Sequence, residues 1–117
     1  MTMAITIYNP FDIVEIPFPF SALSRGRQRK AVVLSTREFH EKTGMLILMM
    51  LVRTTGEKKE FDIPILNWMA SGLRNPCSAR VKIITLELPF VQSYVGKIVD
   101  RDRAAIQESL KRATGVA

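Results

Sequence analysis

The sequence predicts a mainly β domain (α+β), either a small barrel or a strongly bent sheet, closed by a C-terminal helix. Three observations predict it. Five or six short runs are apolar or alternate, with turn residues between them. Pro17 and Pro19 forbid a helix in the first of these runs. From Asp100 the pattern becomes helical, with Ile106, Leu110 and Ala113 at i, i+4 and i+7. At 117 residues, 47% hydrophobic and 24% charged, the chain reads as a single domain over 1–117 with room for one modest core.

Asp12 to Pro19, DIVEIPFP, is expected to form a first strand that bends near Pro17, with Ile13, Val14 and Ile16 as β-formers. Residues 21–30, SALSRGRQRK, carry Arg25, Arg27, Arg29 and Lys30 with no acid among them. They run into AVVLST, suited to a buried strand, so the pair reads as a hairpin with a cationic loop. Thr36 to Lys42 fits a single helical turn, opened by Ser35 or Thr36 and stopped at Gly44.

Met45 to Val52, MLILMMLV, is apolar without alternation. That suits a strand covered on both faces, or covered on one and docked to another subunit. Periodicity also admits a buried helix, but Gly44 and the Thr54-Thr55-Gly56 boundary favour the strand. Lys58 to Ile65 alternates, with Phe61, Ile63 and Ile65 against Glu60, Asp62 and Pro64, and predicts a half-buried strand.

Asn67 is expected to cap a short helix, WMASG, ended by Gly72, with LRNPCSA as a loop after it. Arg80 to Leu86 is a further strand, placing Val81, Ile83 and Thr85 opposite Lys82, Ile84 and Leu86; Ser93 to Val99 is the last. Asp100 is the expected N-cap of the terminal helix. Lys111 and Arg112 suit its negative end, and Gly115 its stop.

Seventeen Lys and Arg against eleven Asp and Glu leave +6 and a pI near 9.9. Such a surplus favours polyanionic partners, RNA first or an acidic protein segment, with solubility charge as the plain alternative. Cys77 and His40 are single, which argues against an intramolecular disulfide, a cysteine-based zinc site, a His-pair metal site and a Ser-His-Asp triad. His40 reads as a surface loop residue, and neither metal nor cofactor is expected. The start, MTMAITIYNP, lacks a charged region followed by an apolar run. The longest apolar run falls far short of the ~20 residues a membrane helix needs. A cytoplasmic protein with no membrane partner is therefore expected.

Five blocks, FDIVEIPFPF (11–20), RKAVVLS (29–35), NW-x-x-x-GL (67–73), S-x-R-x-x-x-x-TL (78–86) and VGKIVDRDRAAIQESL, together resemble the MazF/PemK family. These are toxins of type II toxin–antitoxin modules, and the blocks follow the family's order and spacing over nearly the whole chain. The resemblance implies an SH3-like small barrel of five to seven strands with short helical turns and a C-terminal α-helix. It also implies sequence-specific, metal-independent cleavage of single-stranded mRNA, a homodimer, and neutralisation by a cognate acidic antitoxin.

Carried over residue by residue, Arg29 matches the Arg of the family's Arg-Pro dipeptide, which assists cleavage, while Lys30 replaces the Pro. The hydroxyl pair that ends the family's third strand falls on Val52 and Arg53, with Thr54 and Thr55 two residues later. A bulge would return the hydroxyl to the same strand face; otherwise it is lost. Arg80 matches an Arg that some members use in catalysis, and Lys82 stands where some have a carboxylate.

The candidate catalytic residues are thus Arg29, Thr54 and Arg80, with Arg25, Arg27, Lys30, Arg53 and Lys82 as candidate RNA contacts. RNA cleavage needs a base near the 2′-hydroxyl, an acid near the leaving 5′-oxygen and cations for the charge on phosphorus. Arginine stays protonated and cannot be the base. Glu15 and Asp12 are carboxylates without an assigned place. Plain structural readings stand beside these: Arg80 paired with Glu60 or Asp62, Thr54 and Thr55 in a turn, Trp68 as a core anchor. The alternatives to a ribonuclease are a non-enzymatic RNA- or antitoxin-binding member, which Val52, Arg53 and Lys82 favour, and a gyrase inhibitor.

Overall fold

Strand β1 (Asp12–Pro17) folds back on β2 (Gln28–Val33) as an antiparallel pair, with Ile13 opposite Val32 and Glu15 opposite Lys30. There follow α1 (Arg37–Thr43), β3 (Met45–Arg53), β4 (Ile63–Pro64) and β5 (Cys77–Glu87). A 3₁₀ turn (Leu88–Phe90), β6 (Ser93–Lys97) and α2 (Asp100–Thr114) complete the chain. The computed structural model describes residues 7–17, 28–55 and 59–116. Six strands form one antiparallel sheet in the order β4-β5-β3-β2-β1-β6, curled into a half-barrel. The expected mainly β fold with a C-terminal helix is what forms. No helix among the described residues is long and apolar enough to cross a membrane.

β3 explains its own composition. Met49 and Leu51 join Ile13, Val32, Ile98 and Ile106 on one face of the sheet. Leu46, Leu48 and Met50 join Val14, Ile16, Ala31 and Val33 on the other. Both faces of the strand are covered within the chain, so no alternation is needed. Each such side chain contributes about 1.5–3 kcal/mol by burial.

α1 starts and stops as its sequence indicates. The Thr36 hydroxyl accepts from Phe39 N–H, and Gly44 ends the helix in the left-handed region at φ 71°. His40, expected on the surface, is instead buried where the end of β2, α1 and β3 meet. Its Nε2 lies 2.6 Å from Ser35 Oγ, which accepts from Ile47 N–H at 2.9 Å. Burial lowers the His40 pKa from its ordinary 6.5, outweighing the opposing pull of the Tyr8 backbone, Asp12 and Glu41.

The expected strand over 58–65 shrinks to Ile63–Pro64. Lys59 to Phe61 turns instead, and Phe61 sits at φ 66°. Helix α2 takes hold of it: Ser109 Oγ donates to the Phe61 carbonyl, and the Arg112 guanidinium lies 5.0 Å from the ring centroid. WMASG is likewise a hydrogen-bonded turn and not a helix, with Ser71 N–H donating to Asn67 O and Leu73 N–H to Trp68 O. Trp68 packs against the core as an anchor.

Asp100 does not cap α2. Val99 occupies the cap position, and Asp100 is the first helical residue with no side-chain cap bond. The buried carboxylate of the first turn belongs to Asp102, which accepts from Leu66 N–H at 3.1 Å and Asn67 N–H at 2.9 Å. It therefore ties the 66–73 turn to the helix. Gly115 stops α2 as expected, at φ 73°.

Between Met49↔Ile83 and Leu51↔Ala79, Arg80, Val81 and Lys82 of β5 oppose Met50 alone. This bulge breaks the expected alternation. Val81 packs on one cluster, Ile84 and Leu86 on the other, and Ile83 is left 42% exposed.

Candidate nucleic-acid interface

Two strand ends and one loop meet beside the curled sheet. The β1–β2 register places Arg29 opposite Ile16 and Lys30 opposite Glu15, with Lys30 Nζ 3.9 Å from Glu15 Oε2. β3 delivers Arg53 at its end, paired with Cys77 at the start of β5. The 73–77 segment supplies Arg74. Arg29, Lys30, Arg53 and Arg74 surround a cavity of about 390 Å³ whose described lining includes no carboxylate. A concave, single-sign site of this kind concentrates field and attracts anions.

Cys77 lies in the same cavity, its thiol donating to the Asn75 carbonyl at 3.3 Å. Burial raises its pKa, while Lys30 and Arg53 pull it down by a smaller amount. Burial prevails, which favours the protonated form of the thiol.

A second cavity, about 170 Å³, opens on the other side of Arg53 and is lined by Thr54, Thr55, Ser78, Asp62 and Arg80. Thr54 N–H donates to Pro76 O at 3.0 Å, prolonging the β3–β5 pairing past Arg53. The Thr54 and Ser78 hydroxyls lie 2.9 Å apart. Arg80 donates to Asp62 with both Nε (3.2 Å) and Nη2 (2.9 Å), a bidentate fork that fixes the guanidinium plane.

The candidate residues thus fall into two adjoining groups joined by Arg53: Arg29, Lys30 and Arg53, then Arg53, Thr54 and Arg80. Lys82 is exposed on the bulge and lines neither cavity. Arg25 and Arg27 lie outside the described residues. Asp12 is buried and accepts from Asn9 N–H, a structural role, and Glu15 faces Lys30 and Ser93. Among the described lining residues Asp62 is the one carboxylate, and it holds Arg80. No group of three or more His, Cys, Asp or Glu among the described residues is placed to hold a metal ion.

Sequence reasoning missed Arg74 and Ser78. Arg74 sits in a stretch legible only as a loop. Its one signal was a cation immediately before Asn-Pro, between two of the blocks that carry the family resemblance.

The structure is similar to a mycobacterial endoribonuclease in complex with its cognate antitoxin, with a TM-score of 0.75 at 12% identity, covering 97% of this chain and 98% of that one. It is also similar to MazF from Deinococcus radiodurans, with a TM-score of 0.75 at 15% identity over 95% and 99% of the two chains. A MazE–MazF complex from the same organism gives 0.74 at 14% identity over 96% and 99%. At these identities the likeness speaks for the fold. No curated protein matches the chain. The family model described as PemK-like, MazF-like toxin of type II toxin–antitoxin system matches residues 9–114. The chain belongs to this family of toxins.

Proposed function

We propose that the protein is a metal-independent endoribonuclease that cleaves single-stranded RNA, acts in the cytoplasm as a homodimer, and is neutralised by a cognate antitoxin with an acidic segment. The observation that carries this reading is the junction at Arg53. A four-cation cavity suited to the RNA backbone adjoins a smaller one that pairs hydroxyls with a fixed guanidinium. Relatives of the same fold are endoribonucleases, one of them bound to its antitoxin.

In the proposed reaction the 2′-oxygen forms a bond to phosphorus while the bond from phosphorus to the 5′-oxygen breaks. A 2′,3′-cyclic phosphate and a 5′-hydroxyl result. Solvent takes the 2′-hydroxyl proton and returns one to the 5′-oxygen, so the step balances without a redox partner. Arg29, Arg53 and Arg80 offset the charge that builds on the phosphoryl oxygens, and the Thr54 hydroxyl donates to one of them. Lys30 and Lys82 extend the cationic surface, and the charges of Arg25 and Arg27 add to the attraction for the RNA backbone. An acidic antitoxin segment would compete for the same cations.

The test is incubation of a long mixed-sequence single-stranded RNA with purified protein in chelator, beside Arg29→Ala. Discrete fragments that disappear in the variant are expected. A second reading is a member that binds RNA or antitoxin without cutting. Arg80 favours it, because its guanidinium is already engaged by Asp62. Intact RNA with both proteins, at concentrations that bind antitoxin, would select this second reading.

A further inference from the structure

The cationic cavity holds more than a phosphate site requires. Besides its cations its lining includes the amide side chains Gln28 and Asn75 and the largely buried, apolar Leu51 and Leu73. Each amide offers both a donor and an acceptor. A phosphate uses only donors, amide N–H groups among them, whereas a nucleobase presents an apolar face and a mixed donor–acceptor edge that engages the amide oxygens as well. The volume of about 390 Å³ lies within the range of small-ligand sites.

The wall that carries Asn75 and Arg74 is anchored at both ends. Upstream, Asp102 clamps the 66–73 turn and the Leu73 side chain is buried; downstream, Cys77 begins β5. Both side chains therefore project from a fixed base, as recognition groups must. Among the described residues neither Arg53 nor Arg74 is paired with a carboxylate.

We propose that this cavity seats one unstacked base of single-stranded RNA, with Gln28 and Asn75 reading its edge and Arg74 holding the adjoining phosphate. The inference rests on the ribonuclease reading and adds to it the residues that set sequence preference. Because Arg53 separates this cavity from the one holding Thr54 and Arg80, the base that is read flanks the scissile phosphate.

The experiment first maps the preferred cleavage sequence from fragments of a mixed RNA. That sequence is then made as a 2′-O-methyl oligonucleotide, which cannot be cut, with one abasic residue moved along it. For the unmodified protein one abasic position is expected to weaken binding roughly ten-fold. In Gln28→Ala/Asn75→Ala that penalty should vanish and the cleavage preference should relax at the same base. Arg74→Ala should weaken all sequences alike and reduce the salt slope by about 1. All three side chains are on the surface, so folding is not at stake.

An abasic penalty and base preference that persist in the double variant, while RNA is still bound and cut, would overturn this inference and leave the ribonuclease reading standing. Failure of the unmodified protein to bind or cut RNA would overturn both.

Discussion

The Asp102 carboxylate lies 2.9 Å from the backbone N–H of Asn67, and its other oxygen accepts from Leu66 at 3.1 Å. This buried side chain thus satisfies a turn from the first turn of a helix some 35 residues further along the chain. It links two of the blocks that carry the family resemblance, NW-x-x-x-GL and VGKIVDRDR, through one carboxylate. Asp102→Asn keeps the shape but opposes an amide N–H₂ to one of two part-buried backbone donors. The expected cost is about 1–3 kcal/mol, read as a lower urea midpoint with unchanged m-value.

Gly72 and Gly96 come from the same two blocks and meet directly. A Cβ on Gly96 would stand 2.0 Å from the Ser71 carbonyl oxygen, and one on Gly72, at φ 90°, 2.6 Å from the Val95 oxygen. Both obstacles are backbone and cannot rotate away. Gly96→Ala is expected to destabilise by about 1–3 kcal/mol or more. It should also loosen the 73–77 wall, so RNA affinity would fall even at temperatures where the variant stays folded. Gly44→Ala is the control. Like Gly72 it has a left-handed φ, 71°, but a Cβ there meets nothing within 4 Å, and the change should cost only about 1 kcal/mol.

These two contacts mark where sequence reading stops. The Thr36 and Gly44 caps, the doubly covered β3 and the helical face of Ile106 were legible because local rules decide them. Asp100 looked like the cap of α2 because capping is sought at the boundary residue, whereas Asp102 acts on a segment distant in sequence. Phe61 to Ile65 alternated like a strand, yet Ser109 and Arg112 of α2 bend its start away. At the site, Arg29, Lys30 and Arg53 could be gathered from strand ends. Arg74 and Ser78 could not, since only the curled sheet sets their loop and strand beside those cations.

His40 makes the stability pH-dependent. Burial depresses its pKa in the folded state below the ordinary 6.5, so between those two values the unfolded chain binds more protons. Stability therefore rises with pH through that window, is fully present above about 6.5, and is lost as pH falls toward the folded value. Urea midpoints taken from pH 5 to 8 should show this rise in the native protein. They should be flatter in His40→Gln; an identical slope would place the proton uptake on another group.

Arg53 and Lys82 separate chemistry from mere attraction. Arg53 lines both cavities, so its removal deprives the bound RNA of a backbone contact and the scissile phosphate of a cation. Arg53→Ala is expected to lower kcat/KM by roughly 10²–10³, with losses in both kcat and affinity. Lys82 lies on the β5 bulge outside both cavities. Lys82→Ala should reduce the slope of log affinity against log salt by at most about 1 and leave kcat unchanged. Single-turnover cleavage at saturating protein isolates the chemical step. A loss there in Lys82→Ala without one in Arg53→Ala would mean that RNA crosses the bulge and not the Arg53 junction.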